Sequence, residues 1–217
     1  MVTVAARARS HRADSTKETI LGVAERLFAE HGVIAVSNRQ ISEAAGQGNN
    51  AAVGYHFGTK TDLVLAIVRK RAERMAELRD RMLAEIGDST EVRDWVACLV
   101  RPAAEHLAEL GSPTWYGRFG AQVMSDPVLR ELMIDETFGP SLQRTIDGLN
   151  RCLPELPLPV RIERGEMARL LLVHTLAERE RALADGTLTA RSSWQTYTTG
   201  VIDAITGLWL APITSGQ

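Results

Sequence analysis

The sequence predicts an all-α protein, and three observations predict it. Ala, Leu, Glu and Arg recur through the 217 residues with few β-branched runs, and only 5% of residues are aromatic; such a composition favours helix over strand. Apolar positions repeat at three- and four-residue intervals over most of the chain, the period of a helix face. Helix-start signatures and glycine stops bracket those runs. With 45% apolar residues, a chain of this length can bury a sizeable core.

Residues 1–14 are rich in Arg and Ala without an apolar pattern and are expected as a flexible basic arm. Ser15-x-x-Glu18 has the form of a capping box, in which hydroxyl and carboxylate each satisfy a free amide of the first turn. Ile20, Val23, Ala24, Leu27 and Phe28 then repeat at helical spacing as far as His31, and Gly32 supplies the stop. Ser37-x-x-Gln40 is a second capping box; Ile41, Ala44 and Ala45 form the stripe of a two-turn helix ended by Gly46. Gly46 and Gly48 permit a sharp reversal. Asn49 or Asn50 can cap a third short helix, from about Asn50 to Phe57. Thr59-x-x-Asp62 then opens a long helix through Leu63, Val64, Ile67 and Val68 to about Ile86.

Five further helical segments are expected: Glu91 to Leu110, Thr114 to Met124, Val128 to Leu153 with a kink at Gly139-Pro140, Ile162 to Ala184, and Ala190 to Leu210. Together these make about nine helices: a three-helix head over residues 15–68, and a helical bundle over 69–217 entered by the long helix.

Net charge is −2, unevenly placed. Residues 1–70 hold nine Lys/Arg against six acids, a balance of +3; the remainder holds 16 against 21, a balance of −5. A polyanion contact, if there is one, is expected at the N-terminal third. Cys98 and Cys152 stand far apart with no CxxC or Cys/His spacing, so neither a disulfide framework nor a zinc site is expected. No apolar stretch follows Arg7, Arg9 and Arg12, and no apolar run reaches about 18 residues. A soluble, cytoplasmic protein without a membrane partner, metal or cofactor is expected.

Ser37 to Phe57 has the pattern of a helix-turn-helix supported by a preceding helix. A helix entering the major groove must bring its backbone close to the bases, and Ala51, Ala52 and Gly54 keep that surface low. Asn49 and Asn50 are of the type that pairs bidentately with adenine, and an alanine methyl can meet the thymine methyl. Asn49 has the alternative of being only a cap, which makes Asn50 the better reader. Tyr55 and His56 can donate to phosphates, and Lys60 adds a cation at the start of the long helix. His56 and Phe57 have the alternative of packing between helices.

The stretch ILGVAERLFAEHGVIAVSNRQISEAAG followed by AAVGYHFGTKTDLVLAIV resembles the DNA-binding head of the TetR family of bacterial transcriptional regulators. The resemblance covers about residues 16–68. It is carried by Leu27-Phe28, Gly32, Ser37, Arg39, Ile41, Ala44-Ala45-Gly46 and Tyr55-His56-Phe57-Gly58-x-Lys60. The segment from Gly46 to Phe57 is one residue longer than the commoner family spacing, and Gln47-Gly48-Asn49 stands where the family usually has Val-Ser. The resemblance implies DNA contacts from Ser37, Arg39, Asn49, Asn50, Ala51, Ala52, Tyr55, His56 and Lys60. Arg39 could instead be solvated or paired within the protein, and the arm's arginines could follow the minor groove or simply be disordered.

It also implies a palindromic operator in double-stranded DNA, a homodimer, and a C-terminal body that binds a small-molecule effector. Trp95, Cys98, His106, Trp115, Tyr116, Phe119, Met124 and Phe138 are candidates to line an apolar pocket, or are plain core. Leu170, Leu171, His174, Trp194, Tyr197, Val201, Ile205 and Leu208 are candidates for a four-helix dimer interface.

An enzyme is not expected. There is no HExxH, nucleophile elbow or phosphate-cradling glycine loop, and the pairs His174/Glu178 and Cys98/His106 are isolated. A ligand-independent DNA-binding protein is the remaining alternative.

Overall fold

In a computed structural model, residues 2–49, 51–187 and 193–214 are described, and among them there is helix and no strand. The order is α1 (Val2–His31), α2 (Asn38–Ala44), α3 (Ala52–Phe57), α4 (Lys60–Ile86), α5 (Val92–Leu110), α6 (Tyr116–Ser125), α7 (Pro127–Thr137), α8 (Pro140–Cys152), α9 (Leu158–Ala184) and α10 (Trp194–Leu210). The helical class and the head-plus-bundle plan are those the sequence predicts.

Four boundaries differ. Helix α1 runs through the segment expected as an arm, and Ser15 lies inside it: its carbonyl accepts a hydrogen bond from the Thr19 hydroxyl at 2.9 Å. Ala5, Ala6, Ala8 and Ala13 interleave with arginines there, all strong helix formers with no glycine or proline among them. Glu18 is then free of capping duty and pairs with Lys70 of α4. The expected kink at Gly139-Pro140 is a full break. Gly139 is extended at φ −116°, ψ 178°, and Pro140 opens α8 at a position where its missing amide costs nothing. Asp126 starts α7 by accepting from the Val128 and Leu129 amides. Helix α9 begins at Leu158, with Pro159 in its first turn. Helix α10 begins at Trp194, and the expected start at Ala190 falls outside the described residues.

Two apolar clusters hold the molecule. The first joins head to body: Ile20, Ala24 and Phe28 of α1, Ile41, Val53, Leu63, Val64, Ile67 and Val68 pack in one continuous cluster with Leu107, Tyr116, Phe119, Val123 and Leu176. The second fills the far end of the body with Trp95, Val96, Cys98, Leu149, Val201, Ile202, Ile205 and Trp209. In it α8 passes so close to α5 that a Cβ on Gly148 would stand 2.2 Å from the Trp95 ring.

Helix α4 is the hub, and its cations tie it to its neighbours. Lys70 and Arg71 reach Glu18 and Glu25 of α1, Arg69 reaches Glu136 of α7, and Arg74 reaches Glu109 of α5. Arg79 donates to the Cys98 carbonyl and the Ser141 hydroxyl. Of these α4 ion pairs, Arg71–Glu25 is the one largely shielded from water, with a bidentate geometry at 2.9 and 3.0 Å. The exposed pairs contribute little each.

Candidate nucleic-acid interface

The head is built by local capping. The Ser37 hydroxyl accepts from the Gln40 amide and donates to Gln40 Oε1, which also accepts from the Ser37 amide at 2.8 Å. That box fixes the start of α2. Ile41 turns inward, fully buried, while Arg39 and Glu43 point outward and pair through Nε–Oε1 at 2.7 Å. The Arg39 side chain keeps 73% of its exposure, so it is presented outward and held by the acid one turn on.

After Gly46, in the left-handed region at φ +66°, the chain reverses. Asn49 Oδ1 accepts from the Ala51 amide at 2.9 Å. The Asn49 side chain therefore supports the turn before α3 without being its N-cap, a position that Ala51 takes with no side-chain cap; Asn50 lies outside the described residues. In α3, Ala52 and Val53 face the core. Ala52 is only 7% exposed, which corrects its expected place on the reading surface: it shares the core side of α3 with Val53. The outward ridge consists of Ala51, Gly54 and Tyr55. A Cβ on Gly54 would meet nothing within 4 Å, and Tyr55 is 83% exposed. His56 is half-buried with its ring edge-on to Tyr55 at 4.9 Å, and Phe57 packs against the head core.

Beyond α3, Gly58 takes φ +86°, and Thr59 and Asp62 form a third capping box. Thr59's hydrogen bonds hold the Asp62 carboxyl below its ordinary range. Lys60 does not point freely into solvent. Its Nζ donates to the carbonyls of Val33 and Ile34 at 3.1 and 3.3 Å, satisfying backbone acceptors left over after α1 ends. This ties the start of α4 to the loop before α2, a role that 27 residues of separation conceal in the sequence.

The residues expected to share one pocket do not converge. Trp95 and Cys98 belong to the far cluster, where Trp95 Nε1 donates to the Ser89 carbonyl and burial pushes the Cys98 thiol up to about 11. Phe138 is half exposed at the end of α7. Tyr116 and Phe119 lie in the joint cluster, with Trp115 and Met124 on its edge. His106 stands edge-on to Tyr116, ring centroids 6.2 Å apart. Both His106 nitrogens and the Tyr116 hydroxyl are buried without a hydrogen bond among the described residues; His106 Nδ1 lies 3.8 Å from the Glu109 carboxylate. Burial, with Arg71 nearby, lowers the His106 pKa below its ordinary value, and burial raises that of Tyr116.

The expected interface residues also divide. Val201 and Ile205 are consumed by the chain's own far cluster, which removes them from any surface. They sit on the face of α10 that packs on α5, a distinction helical spacing alone does not make. Trp194 and Tyr197 are half-buried; Arg179 lies over both rings, and the Tyr197 hydroxyl donates to the Thr175 carbonyl. Leu171 and Leu208 are half-buried, while Leu170 and His174 are exposed. Sequence reasoning missed the outward apolar residues Leu158, Ile162, Met167, Leu210 and Ile213. Among the described residues no helix is long and apolar enough to cross a membrane.

Residues 20–67 match the family described as "Bacterial regulatory proteins, tetR family", and residues 97–207 match "Tetracyclin repressor-like, C-terminal domain". The HTH-type transcriptional repressor AcnR of Corynebacterium glutamicum is 29% identical over 144 residues, which cover 61% of this chain and 67% of the relative. AcnR of Corynebacterium efficiens is 36% identical over 88 residues, and that of Corynebacterium diphtheriae 38% over 81. Those two alignments take in 38% and 37% of this chain and less than half of each relative, 46% and 40%. A TetR family transcription regulator from Marinobacter aquaeolei VT8 superposes with a TM-score of 0.58 at 17% identity, covering 90% of this chain and 97% of that one. A putative TetR-family regulator from Mesorhizobium loti MAFF303099 does so at 0.51 and 14%, covering 92% and 97%. At such identities the two structures speak to fold alone. The chain is a DNA-binding transcriptional regulator rather than an enzyme, and it belongs to the tetR family of bacterial regulatory proteins.

Proposed function

We propose that the protein is a cytoplasmic repressor that occupies a palindromic operator as a homodimer and leaves it when a small molecule binds its body. The observation that carries this reading is the ridge of Ala51, Gly54 and Tyr55, open to solvent and rigidly held between the Asn49 turn and the Thr59–Asp62 box. A low, stiff ridge next to an outward arginine suits insertion into a major groove. Repression is suggested by the AcnR relatives, which are named as repressors. Residues 15–68 are assigned to DNA binding, with the helix before them its N-terminal extension, and 69–217 to effector binding and dimerisation.

In the head, Arg39 of α2 is proposed to contact a base or phosphate once it leaves Glu43, and Tyr55 and His56 of α3 to donate to phosphates. Ser37 and Lys60 act mainly through the backbone they hold. Leu170 and His174 on α9, with Leu210 and Ile213 near the end of α10, are proposed to meet a second copy. Two-fold symmetry would then set the two α3 helices about 34–36 Å apart, one turn of DNA. An effector shifts the equilibrium only if it prefers a form whose heads are wrongly spaced. The buried His106 Nε2 and Tyr116 hydroxyl, without hydrogen bonds among the described residues, favour a receiving site at the joint of α1, α4, α5 and α6.

Replacing Tyr55 with Ala tests the ridge. Affinity should fall on all duplexes alike, and the slope of log affinity against log salt should become shallower by about one unit. Unchanged affinity and slope would contradict the assignment. Arg39→Ala should cost about 1–3 kcal/mol on a selected operator and little on random DNA if it reads a base.

A further inference from the structure

Helix α6 starts without a cap of its own. Trp115 occupies the N-cap position and its side chain satisfies no amide, although the first-turn N–H groups need acceptors. The acceptor comes from another helix. Glu180 of α9 is 2% exposed. Its Oε1 accepts from the Gly117 amide at 3.1 Å and from the Thr114 hydroxyl. Its Oε2 accepts from the Arg118 amide at 2.8 Å and from Arg118 Nε at 3.2 Å. Arg118 is in turn fixed by the Thr114 carbonyl at 3.0 Å and lies 4.6 Å over the Trp115 ring. A buried carboxylate is tolerated here because every neighbour at hydrogen-bond distance is a donor and one is a cation. Gly117 allows the close approach: a Cβ there would already stand 3.4 Å from both the Glu180 carboxylate and the Leu176 carbonyl.

The far side of α6 meets the head. Phe119 stacks on Tyr116 at 6.0 Å and on Phe28 of α1 at 6.2 Å, and Phe28 is fully buried. Gln122 comes against Gly32 at the end of α1. Helix α6 is therefore gripped by α9 through charge-assisted hydrogen bonds and gripped by α1 through stacked rings.

We propose that Glu180 is the positioning residue that sets the DNA-reading head relative to the α9 surface, by fixing the start of α6, on which α1 is seated. The proposal rests on the reading above that α9 carries a second copy and that two heads share one operator. Glu180 touches neither DNA nor the second copy; its effect is on where the first turn of α6 stands. Helix α6 transmits because it is short and held at both faces, so a displaced first turn displaces the Phe119–Phe28 stack.

The test uses the full chain, a duplex selected by the wild-type protein from random fragments, and the same duplex with one half scrambled. Wild type should favour the intact duplex over the half-scrambled one by roughly 100-fold or more, as two linked contacts require. Glu180→Gln puts an amide N–H against donors and should lower affinity for the intact duplex about tenfold. Its affinity for the half-scrambled duplex, and its dimerisation by sedimentation, should stay as in wild type. Thr114→Val, which removes one donor, should move the ratio the same way by less, and Thr114→Ser should restore it. Should Glu180→Gln fail to fold, Thr114→Val against Thr114→Ser carries the test. An unchanged ratio in Glu180→Gln and Thr114→Val, or equal losses on both duplexes with a lowered Tm, would overturn the proposal. A wild-type protein with no preference for the intact duplex would contradict the operator reading itself, and the proposal would fall with it.

Discussion

The single residues of the head divide between presenting a surface and holding it, and Lys60 shows the division most clearly. Its place in the resemblance implies a DNA contact, yet its ammonium is occupied by two carbonyls 26 and 27 residues earlier in the chain. Lys60→Met should therefore destabilise the head by about 1–2 kcal/mol, the worth of charge-assisted hydrogen bonds to backbone, readable by chemical denaturation. Its salt slope on DNA should stay near the wild-type value; a shallower slope with unchanged stability would restore the phosphate role. Arg39 with Glu43 was legible as spacing, since the pair stands at i and i+4. The inward turn of Ala52 was not, because Ala51 and Ala52 are chemically alike and only the phase of α3 against the core separates them. Glu180 was illegible for another reason: its partners, Thr114 to Arg118, lie over 60 positions away, and nothing local in the sequence of α9 marks an acid that will be buried.

At the scale of elements, capping chemistry was the most reliable guide. The boxes at Ser37 and Thr59 are present with their hydrogen bonds, whereas the one at Ser15 is overridden because helix-forming residues precede it. Caps thus mark possible starts, and the flanking sequence decides whether a start is used. The α5–α8 contact at Gly148 is a close packing that the sequence did not announce. Gly148→Ala would drive a methyl into the Trp95 ring, so it should cost about 1–3 kcal/mol by overpacking, measured as a lower denaturant midpoint; an unaltered midpoint would mean that α8 slides freely. His106, on α5, gives the joint a pH dependence. It faces Arg71 and Arg74 of α4, Glu109 of its own helix and Tyr116 of α6. Its folded pKa is lowered below the ordinary 6.5, so the unfolded chain takes up the proton first. The stability it contributes is complete above pH 6.5 and is lost as pH falls through the lowered folded value. The wild-type Tm should therefore drop more steeply than that of His106→Leu as pH falls below 6.5; parallel curves would contradict the assignment.

Across the whole molecule, head and body share one apolar cluster, and α4 is tied by its cations to α1, α5 and α7. The fold class and the head were legible from local patterns. The body was legible only as helices, because amphipathic spacing shows that a helix has a buried face without showing what covers it. That is why Val201 and Ile205 read as interface and stand in the core, while Met167 and Ile213 went unnoticed. The proposed homodimer should read DNA as a symmetric pair of half-sites. The most direct measurement is to pass random genomic fragments over the purified protein at fixed moderate salt and sequence what is retained. The account predicts enrichment of a palindrome whose half-sites lie about one helical turn apart; retention without sequence preference, or of a single unpaired half-site, would contradict it.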